Sequence, residues 1–234
     1  PIAPEDRVLR HHTLLLFTIG QEEAVRCARF LTMMPLLRHR TFDWELIGRL
    51  GQEERIRQIC GPEWIRAMTC DWPQFEELTV EFHSTFLYDP KRFAEGDAVS
   101  FALGRRVYEM SVPQFAVHMD LYTAEQVAAP EFAQLLRGPA DSSQPWAVRP
   151  GRLHEFWTTI ADSFYSERTC QESQIRDPII RYIHRIIACT INARSDGVDK
   201  CNLRDLFILF CVIGGHRANI ATVLLASFAR GRRT

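Results

Sequence analysis

Apolar residues recur at helical spacing through most of the chain, most clearly near residue 180. Asp177 is a favoured N-cap residue, and Pro178 occupies the first helical position, where proline is tolerated. The apolar positions that follow lie on one face of a helix: Ile179, Ile180, Ile183, Ile186 and Ile187. The opposite face, with Arg181, His184 and Arg185, is expected to lie in solvent.

The most apolar segment, from Leu206 to Ile213, predicts a helix buried on nearly all sides. Asn202 is suited to cap its start, and Gly214-Gly215 to end it. The segment has roughly half the ~20 residues that a membrane span needs, so we expect a core helix and no membrane association. A last helix is predicted from Ala218 to Phe228.

The pattern between Gln21 and Trp72 predicts short helices interrupted at Pro35, Gly51 and Gly61-Pro62. A longer helix is then expected, with Asp71 as its cap and Pro73 in its first turn. Its wide apolar surface comprises Phe75, Leu78, Val80, Phe82 and Phe86. The acidic residues of this helix are expected to be solvated, namely Glu76, Glu77 and Glu81.

Alternation replaces helical spacing from Ala98 to Met110 and predicts one β-hairpin, with its turn at Gly104-Arg105. Ser111 with Gln114 then forms a capping-box pattern that opens a helix through Leu121. Thr123 with Gln126 repeats the same start signal. Residues 138–151 lack helical spacing and predict a surface loop or linker, followed by a helix over residues 153–164. These elements predict a mainly α, multi-helix globular fold with one small β-hairpin at about residues 99–110.

The charge balance gives no overall field that would attract nucleic acid or an anionic membrane, because 28 Lys+Arg face 29 Asp+Glu. Lysine occurs only at Lys91 and Lys200, so arginine supplies nearly all positive charge. This bias suits interfaces or nucleic acid. It equally suits a GC-rich gene, and we favour that explanation.

The seven cysteines are widely separated and mostly lie in apolar stretches, as expected for reduced core residues of an intracellular protein, in nucleus or cytoplasm. The start of the chain lacks a signal-peptide pattern and begins with Pro1, so we expect a fragment or a trimmed product.

Common catalytic and cofactor motifs do not occur in the sequence. Metal-binding cysteine pairs, phosphate-binding glycine loops, the His-Glu-x-x-His motif and the nucleophile elbow are all missing, so we expect no enzyme activity, no small-molecule substrate and no cofactor. Glu81 and His83 are two residues apart and do not share a helix face. The best metal set, Cys201, Cys211 and His216 with Cys189 nearby, is weak because Cys211 lies within the apolar helix. We therefore predict no metal site.

One basic group is a candidate for nucleic-acid contact. Arg181 and Arg185 are one helical turn apart and could contact phosphate together. The full candidate set is Arg181, His184, Arg185, Arg230, Arg232 and Arg233. A solvated helix face and tail remain the favoured explanation, because no aromatic residues alternate with these arginines to stack on bases.

Three segments follow one another in a distinctive order: residues 75–86 with Leu78-Thr-Val-Glu-Phe82, residues 99–122, and residues 175–188 with Tyr182-Ile-His-Arg185. Together they resemble the Athila family of plant long-terminal-repeat retrotransposons, of the Gypsy class. The last motif is the most specific. The chain differs from the family pattern at Asp177, where Asn is expected, and in a longer polar insertion at residues 140–144.

The resemblance implies the C-terminal domain of the protein encoded by the first open reading frame, a helical domain over residues 42–230 here. Residues 1–41 match little. The family has no assigned activity or catalytic residues, so we expect a structural or protein-interaction module that associates with itself. The alternatives are a nucleic-acid-binding module, an enzyme of unidentified type, which is least favoured, and a decayed or domesticated copy with a changed role.

Overall fold

The computed structural model describes residues 22–33, 40–69, 75–92, 96, 98–104, 106–137, 148–194 and 196–231. The chain divides into two compact units, each assembled from separate stretches of sequence. The first comprises residues 1–38, 72–115 and 228–234, and the second comprises residues 39–71 and 116–227. The predicted domain over residues 42–230 stays a prediction.

Helices dominate the described chain, as predicted. They are α1 (Glu22–Met33), α2 (Trp44–Arg49), α3 (Glu53–Met68), α4 (Glu76–Thr85), α5 (Val112–His118), α6 (Ala124–Ala128), α7 (Pro130–Gln134), α8 (Pro150–Ile160), α9 (Pro178–Cys189), α10 (Leu203–Ile213) and α11 (Ile220–Gly231). Short 3-10 turns cover Pro90–Arg92 and Glu172–Gln174. The strands are β1 (Leu87–Tyr88), β2 (Val99–Leu103), β3 (Arg106–Met110), β4 (Leu136–Arg137) and β5 (Ala218–Asn219). The mainly α fold class is therefore confirmed.

The first unit contains a three-stranded antiparallel sheet with strand order β1-β2-β3. The predicted hairpin is confirmed, since Leu103 pairs with Arg106 and Val99 with Met110 across β2 and β3. Strand β1 was not predicted, because two residues are too few to show an alternating pattern. β1 also leaves part of the adjacent edge of β2 uncovered.

Two side chains of α4 complete that edge of β2. The Ala102 N–H donates to Thr85 Oγ1 at 2.8 Å, and the Gly104 N–H donates to Glu81 Oε2 at 2.6 Å. Thr85 and Glu81 are one helical turn apart on the same face of α4 and therefore reach two N–H groups that lie two residues apart, those of Ala102 and Gly104. The prediction that Glu81 is solvated is wrong: its side chain is completely buried, because it replaces a strand partner.

The start of α4 differs from the predicted one. Phe75 has extended backbone angles and the helix begins at Glu76, while Asp71 and Pro73 lie outside the described residues. The side chains of Glu76 and Glu77 also lie outside the described part. Phe75 is largely exposed, so it does not belong to the core as predicted.

An aromatic cluster fills the core of the first unit. The Phe82 ring contacts those of Phe86, Phe101 and Phe228 at centroid distances of 5.1, 5.0 and 5.3 Å. His83 lies among these rings, at 5.9 Å from Phe30 and 5.8 Å from Phe228. Burial lowers the pKa of His83, because a charged imidazole would lose its hydration there.

In the second unit, helices α3, α8 and α9 pack against α10. Every side chain from Asp205 to Val212 is buried, which confirms the prediction of a helix enclosed on nearly all sides. The predicted caps are also present. Asp177 Oδ1 accepts from Ile179 N at 2.8 Å, Asn202 Oδ1 accepts from Arg204 N at 2.9 Å, and the C-cap is Gly214.

Three predicted helix boundaries in or next to this unit were wrong. Helix α8 covers Pro150–Ile160 rather than residues 153–164. The predicted loop at 138–151 therefore extends too far at its C-terminal end. Residues 138–147 of that loop lie outside the described part. Phe164, the predicted end, is 89% exposed. Helix α5 stops at His118 rather than Leu121, because Asp120 adopts a left-handed φ of 52°. Helix α11 covers Ile220–Gly231 rather than residues 218–228, since Ala218 and Asn219 form β5.

The interruption predicted at Gly61-Pro62 is a kink inside α3. Gly61 has φ 70° and ψ 163°, a combination open essentially only to glycine. The helix resumes at once with Pro62 in the first position of its new turn.

Candidate functional site

His184 lies at the centre of a buried polar cluster in the second unit. The prediction that it is solvated is wrong, since its side chain is completely buried. Asp205, in the first turn of α10, is equally buried and lies beside it. A buried carboxylate next to a buried imidazole needs partners to offset lost hydration. Their partners therefore define the chemistry of the cluster.

Asp205 accepts hydrogen bonds from three neighbouring groups. Its Oδ1 accepts from Asn192 Nδ2 at 2.7 Å, and its Oδ2 accepts from Arg194 Nη2 at 2.6 Å and from the Asn202 N–H at 3.1 Å. The last bond belongs to a capping box in which Asn202 Oδ1 in turn accepts from the Asp205 N–H at 3.0 Å. The carboxylate is therefore held firmly in place.

The ring of His184 is held between two carboxylates, but at long distances. Its Nε2 is 3.4 Å from Asp205 Oδ2, and its Nδ1 is 3.6 Å from Glu172 Oε2. Glu172 is itself paired with Arg185, whose Nε donates to Oε2 at 3.1 Å and whose Nη2 donates to Oε1. Burial lowers the pKa of His184, but the Asp205, Cys201 and Glu172 side chains hold it well above its ordinary value.

Cys201 is the third member of the cluster. The ligand atoms of His184, Cys201 and Asp205 all lie within 4.8 Å of one another, and all three side chains are buried. Burial raises the pKa of the Cys201 thiol, against the lowering effect of His184. All three side chains are completely enclosed by the protein.

The residues weighed as a metal set in the sequence, which predicted no metal site, do not all lie together in the structure. Cys201 lies with His184 and Asp205, whereas Cys211 and His216 line a separate cavity of about 590 Å³ in the second unit. Burial raises the pKa of Cys211 to about 12, so its thiol stays protonated. Cys189 Sγ accepts a long hydrogen bond from Arg40 Nη1, at 3.9 Å.

The arginines proposed for nucleic-acid contact fall in different units: Arg181 and Arg185 belong to the second, and Arg230 to the first. Arg181 is half-buried, and Arg185 is exposed but paired with Glu172. Arg230 is half-buried in a segment that belongs to the first unit, and Arg232 and Arg233 lie outside the described residues. Nucleic-acid contact through this set stays a prediction.

The profile of the ATHILA ORF-1 family matches residues 28–203, about three quarters of the chain. The chain belongs to the ATHILA ORF-1 family. The expected Athila-type retrotransposon origin is therefore confirmed. No curated protein and no solved structure matches the chain.

Most of the buried cluster lies within the family match. Glu172, His184 and Cys201 fall inside residues 28–203, and Asp205 follows two residues after its end. This cluster was not predicted from the sequence of this ATHILA ORF-1 protein, although the sequence contains one indication of it. His184 lies four residues after Ile180 and three before Ile187, so it flanks the apolar stripe rather than opposing it.

No helix in the described part of the chain is both long enough and apolar enough to cross a bilayer.

Proposed function

We propose that this ATHILA ORF-1 protein is a non-catalytic structural module that associates with a second copy of itself through strand β3. The observation that carries the proposal is the exposed outer edge of the three-stranded sheet. Exposed sheet edges are templates for pairing with another chain. β3 is such an edge, because the sheet order is β1-β2-β3.

The register identifies the backbone groups that face outward. Leu103 and Arg106 close a two-residue turn, so Arg106, Tyr108 and Met110 direct their N–H and C=O groups toward β2. Val107 and Glu109 then direct theirs away from the sheet. No hydrogen bond from another part of the described chain covers these groups.

The side chains on this edge also favour association. Val107 is 67% exposed and Tyr108 is 38% exposed, although β-branched and aromatic residues usually pack in sheets. The Tyr108 ring stacks on Phe101 at 5.4 Å, which restricts its orientation. A restricted aromatic ring loses little entropy when it becomes an interface contact.

The edge is complementary to itself in one antiparallel register. A two-fold axis at Tyr108 places Val107 opposite Glu109 of the second copy, so that their outward groups exchange hydrogen bonds. The two Tyr108 side chains then face each other in the close, non-hydrogen-bonded pair. Arg106 and Glu109 are not opposite their own copies, so like charges do not meet. A register centred on Glu109 would oppose two carboxylates and is disfavoured.

The proposal is tested by sedimentation of the untagged chain over a range of concentrations. The wild type is expected to show a concentration-dependent dimer, and Val107→Pro is expected to remain monomeric. Proline removes an outward N–H while leaving the β2–β3 bonds intact, and it is accepted on edge strands.

Val107→Thr is the matched control, because it keeps the N–H and the β-branched shape. It is expected to dimerise, with a somewhat weaker association constant. A wild type that stays monomeric at every concentration, or a Val107→Pro chain that dimerises as the wild type does, would contradict the proposal.

A further inference from the structure

We propose that His184, Cys201 and Asp205 form a zinc-binding site in the second unit, independent of the pairing edge. One imidazole nitrogen, one thiolate and one carboxylate are ligand types that Zn²⁺ accepts, and three protein ligands leave one tetrahedral position for water. The three groups are already gathered within 4.8 Å of one another in a buried place.

The first argument is the bonding of His184. Charge-assisted N–H···O bonds are about 2.7–2.9 Å long. Nε2 makes one long hydrogen bond, 3.4 Å to Asp205 Oδ2, and the buried Nδ1 has no hydrogen-bond partner in the described residues. A completely buried ring with only one long hydrogen bond is poorly satisfied, and an additional group such as an ion would complete its bonding.

The second argument is the spacing of the ligand atoms. Zinc lies about 2.0–2.1 Å from nitrogen and oxygen ligands, so two such ligands at a tetrahedral angle are about 3.3 Å apart. The 3.4 Å between His184 Nε2 and Asp205 Oδ2 is close to this value. The distance is therefore compatible with two ligands of one ion.

The third argument is the surroundings of the ligands. Zinc-bound histidines usually direct their other nitrogen toward a carboxylate, and zinc-bound carboxylates accept further hydrogen bonds. Glu172 lies beside His184 Nδ1 and is oriented by Arg185. Asn192 and Arg194 hold the Asp205 carboxylate. Both features of an outer shell are thus present around these three residues.

The experiment uses the untagged full chain produced in zinc-containing medium and dialysed against metal-free buffer. Elemental analysis is expected to find one zinc ion per chain. After removal of zinc, titration with Co²⁺ alone is expected to give the visible bands of a tetrahedral ion and a near-ultraviolet thiolate-to-cobalt band.

Variants identify the ligands. Cys201→Ser is expected to lose the near-ultraviolet band, whereas Cys211→Ser, which changes a buried thiol inside α10, is expected to keep it. His184→Gln is a second variant if Cys201→Ser does not fold, and it is expected to lose cobalt binding. The proposal is overturned if the wild type holds no zinc and gives no cobalt band. It is also overturned if His184→Gln keeps the wild-type spectrum or if Cys211→Ser loses the band.

Discussion

Glu81 is one of two α4 side chains that bond the part of β2 and its turn that β1 does not cover, in the sheet of the first unit. Its carboxylate is completely buried and accepts from the Gly104 N–H at 2.6 Å. A hydrogen bond to a charged acceptor contributes more than a neutral one. Because the Glu81 carboxylate is buried away from water, its removal would leave the Gly104 N–H without a partner.

Replacement of Glu81 tests this role. Glu81→Ala is expected to lower the free energy of unfolding by about 2–3 kcal/mol, because a buried donor is left unsatisfied and a small cavity forms. Glu81→Gln retains an acceptor oxygen and is expected to cost about half as much. Urea unfolding followed by circular dichroism measures both. Equal stability of Glu81→Ala and the wild type would show that the bond contributes nothing.

A second residue-scale prediction concerns His83, whose pKa is lowered from 6.5 by burial among aromatic rings. Below pH 6.5 the unfolded chain takes up a proton that the folded chain resists, so this residue makes stability fall as the pH drops. The effect of His83 on stability is absent above the pKa it has in the unfolded chain. The effect grows as the pH falls from that value to the lower pKa of the folded chain. Urea unfolding at pH 5 to 7 is expected to show a shallower pH dependence for His83→Gln than for the wild type. Parallel curves would contradict the assignment.

Glu81 and His184 show which residue properties the sequence does not determine. Both were predicted to be solvated, because local spacing considers only the faces of one helix. The buried Glu81 bonds to Gly104, 23 residues later in the chain. The buried His184 contacts Asp205, 21 residues later. Such burial depends on tertiary contacts that no local pattern records.

At the scale of elements, caps and turns were the most predictable features. Asp177-Pro178, Asn202 and the Thr123–Gln126 capping box all start helices as predicted, because capping is a local hydrogen-bond pattern within a few residues. Helix ends were less predictable. The left-handed Asp120 and the two-residue strand β5 stop or delay helices for reasons that apolar spacing does not contain.

The N-cap of α9 gives an element-scale prediction. Asp177 caps the helix and also pairs with Arg55. Asp177→Ala is expected to lower the free energy of unfolding by about 1 kcal/mol, since the cap is lost. Asp177→Asn keeps a favourable cap and loses only a half-exposed ion pair, so its cost is expected to stay below about 0.5 kcal/mol. If the two variants are equally destabilised, the ion pair rather than the cap stabilises this helix start.

At the scale of the whole molecule, the chain forms two units whose segments alternate along the sequence. Periodicity cannot predict such a division, because each unit is completed by residues distant in the chain. The family match begins in α1 and ends at the first residue of α10, so it covers parts of both units. The pairing edge belongs to the first unit, and the zinc cluster belongs to the second.

This assignment predicts that the two proposed properties are separable. Val107→Pro is expected to keep the cobalt spectrum of the wild type, and Cys201→Ser, where it folds, is expected to keep concentration-dependent association. Sedimentation and cobalt titration of both variants test this. Loss of metal binding in Val107→Pro would show that the two properties depend on each other.

Amide hydrogen exchange of strand β3, measured at low and high protein concentration, tests the proposed self-association most directly. The Val107 and Glu109 amides face outward, so the account predicts that their exchange slows as the concentration rises. The Arg106 and Tyr108 amides already bond to β2, and their exchange is expected to stay constant. Equal exchange of Val107 and Glu109 at both concentrations, in a sample that sediments as a dimer, would contradict pairing through this edge.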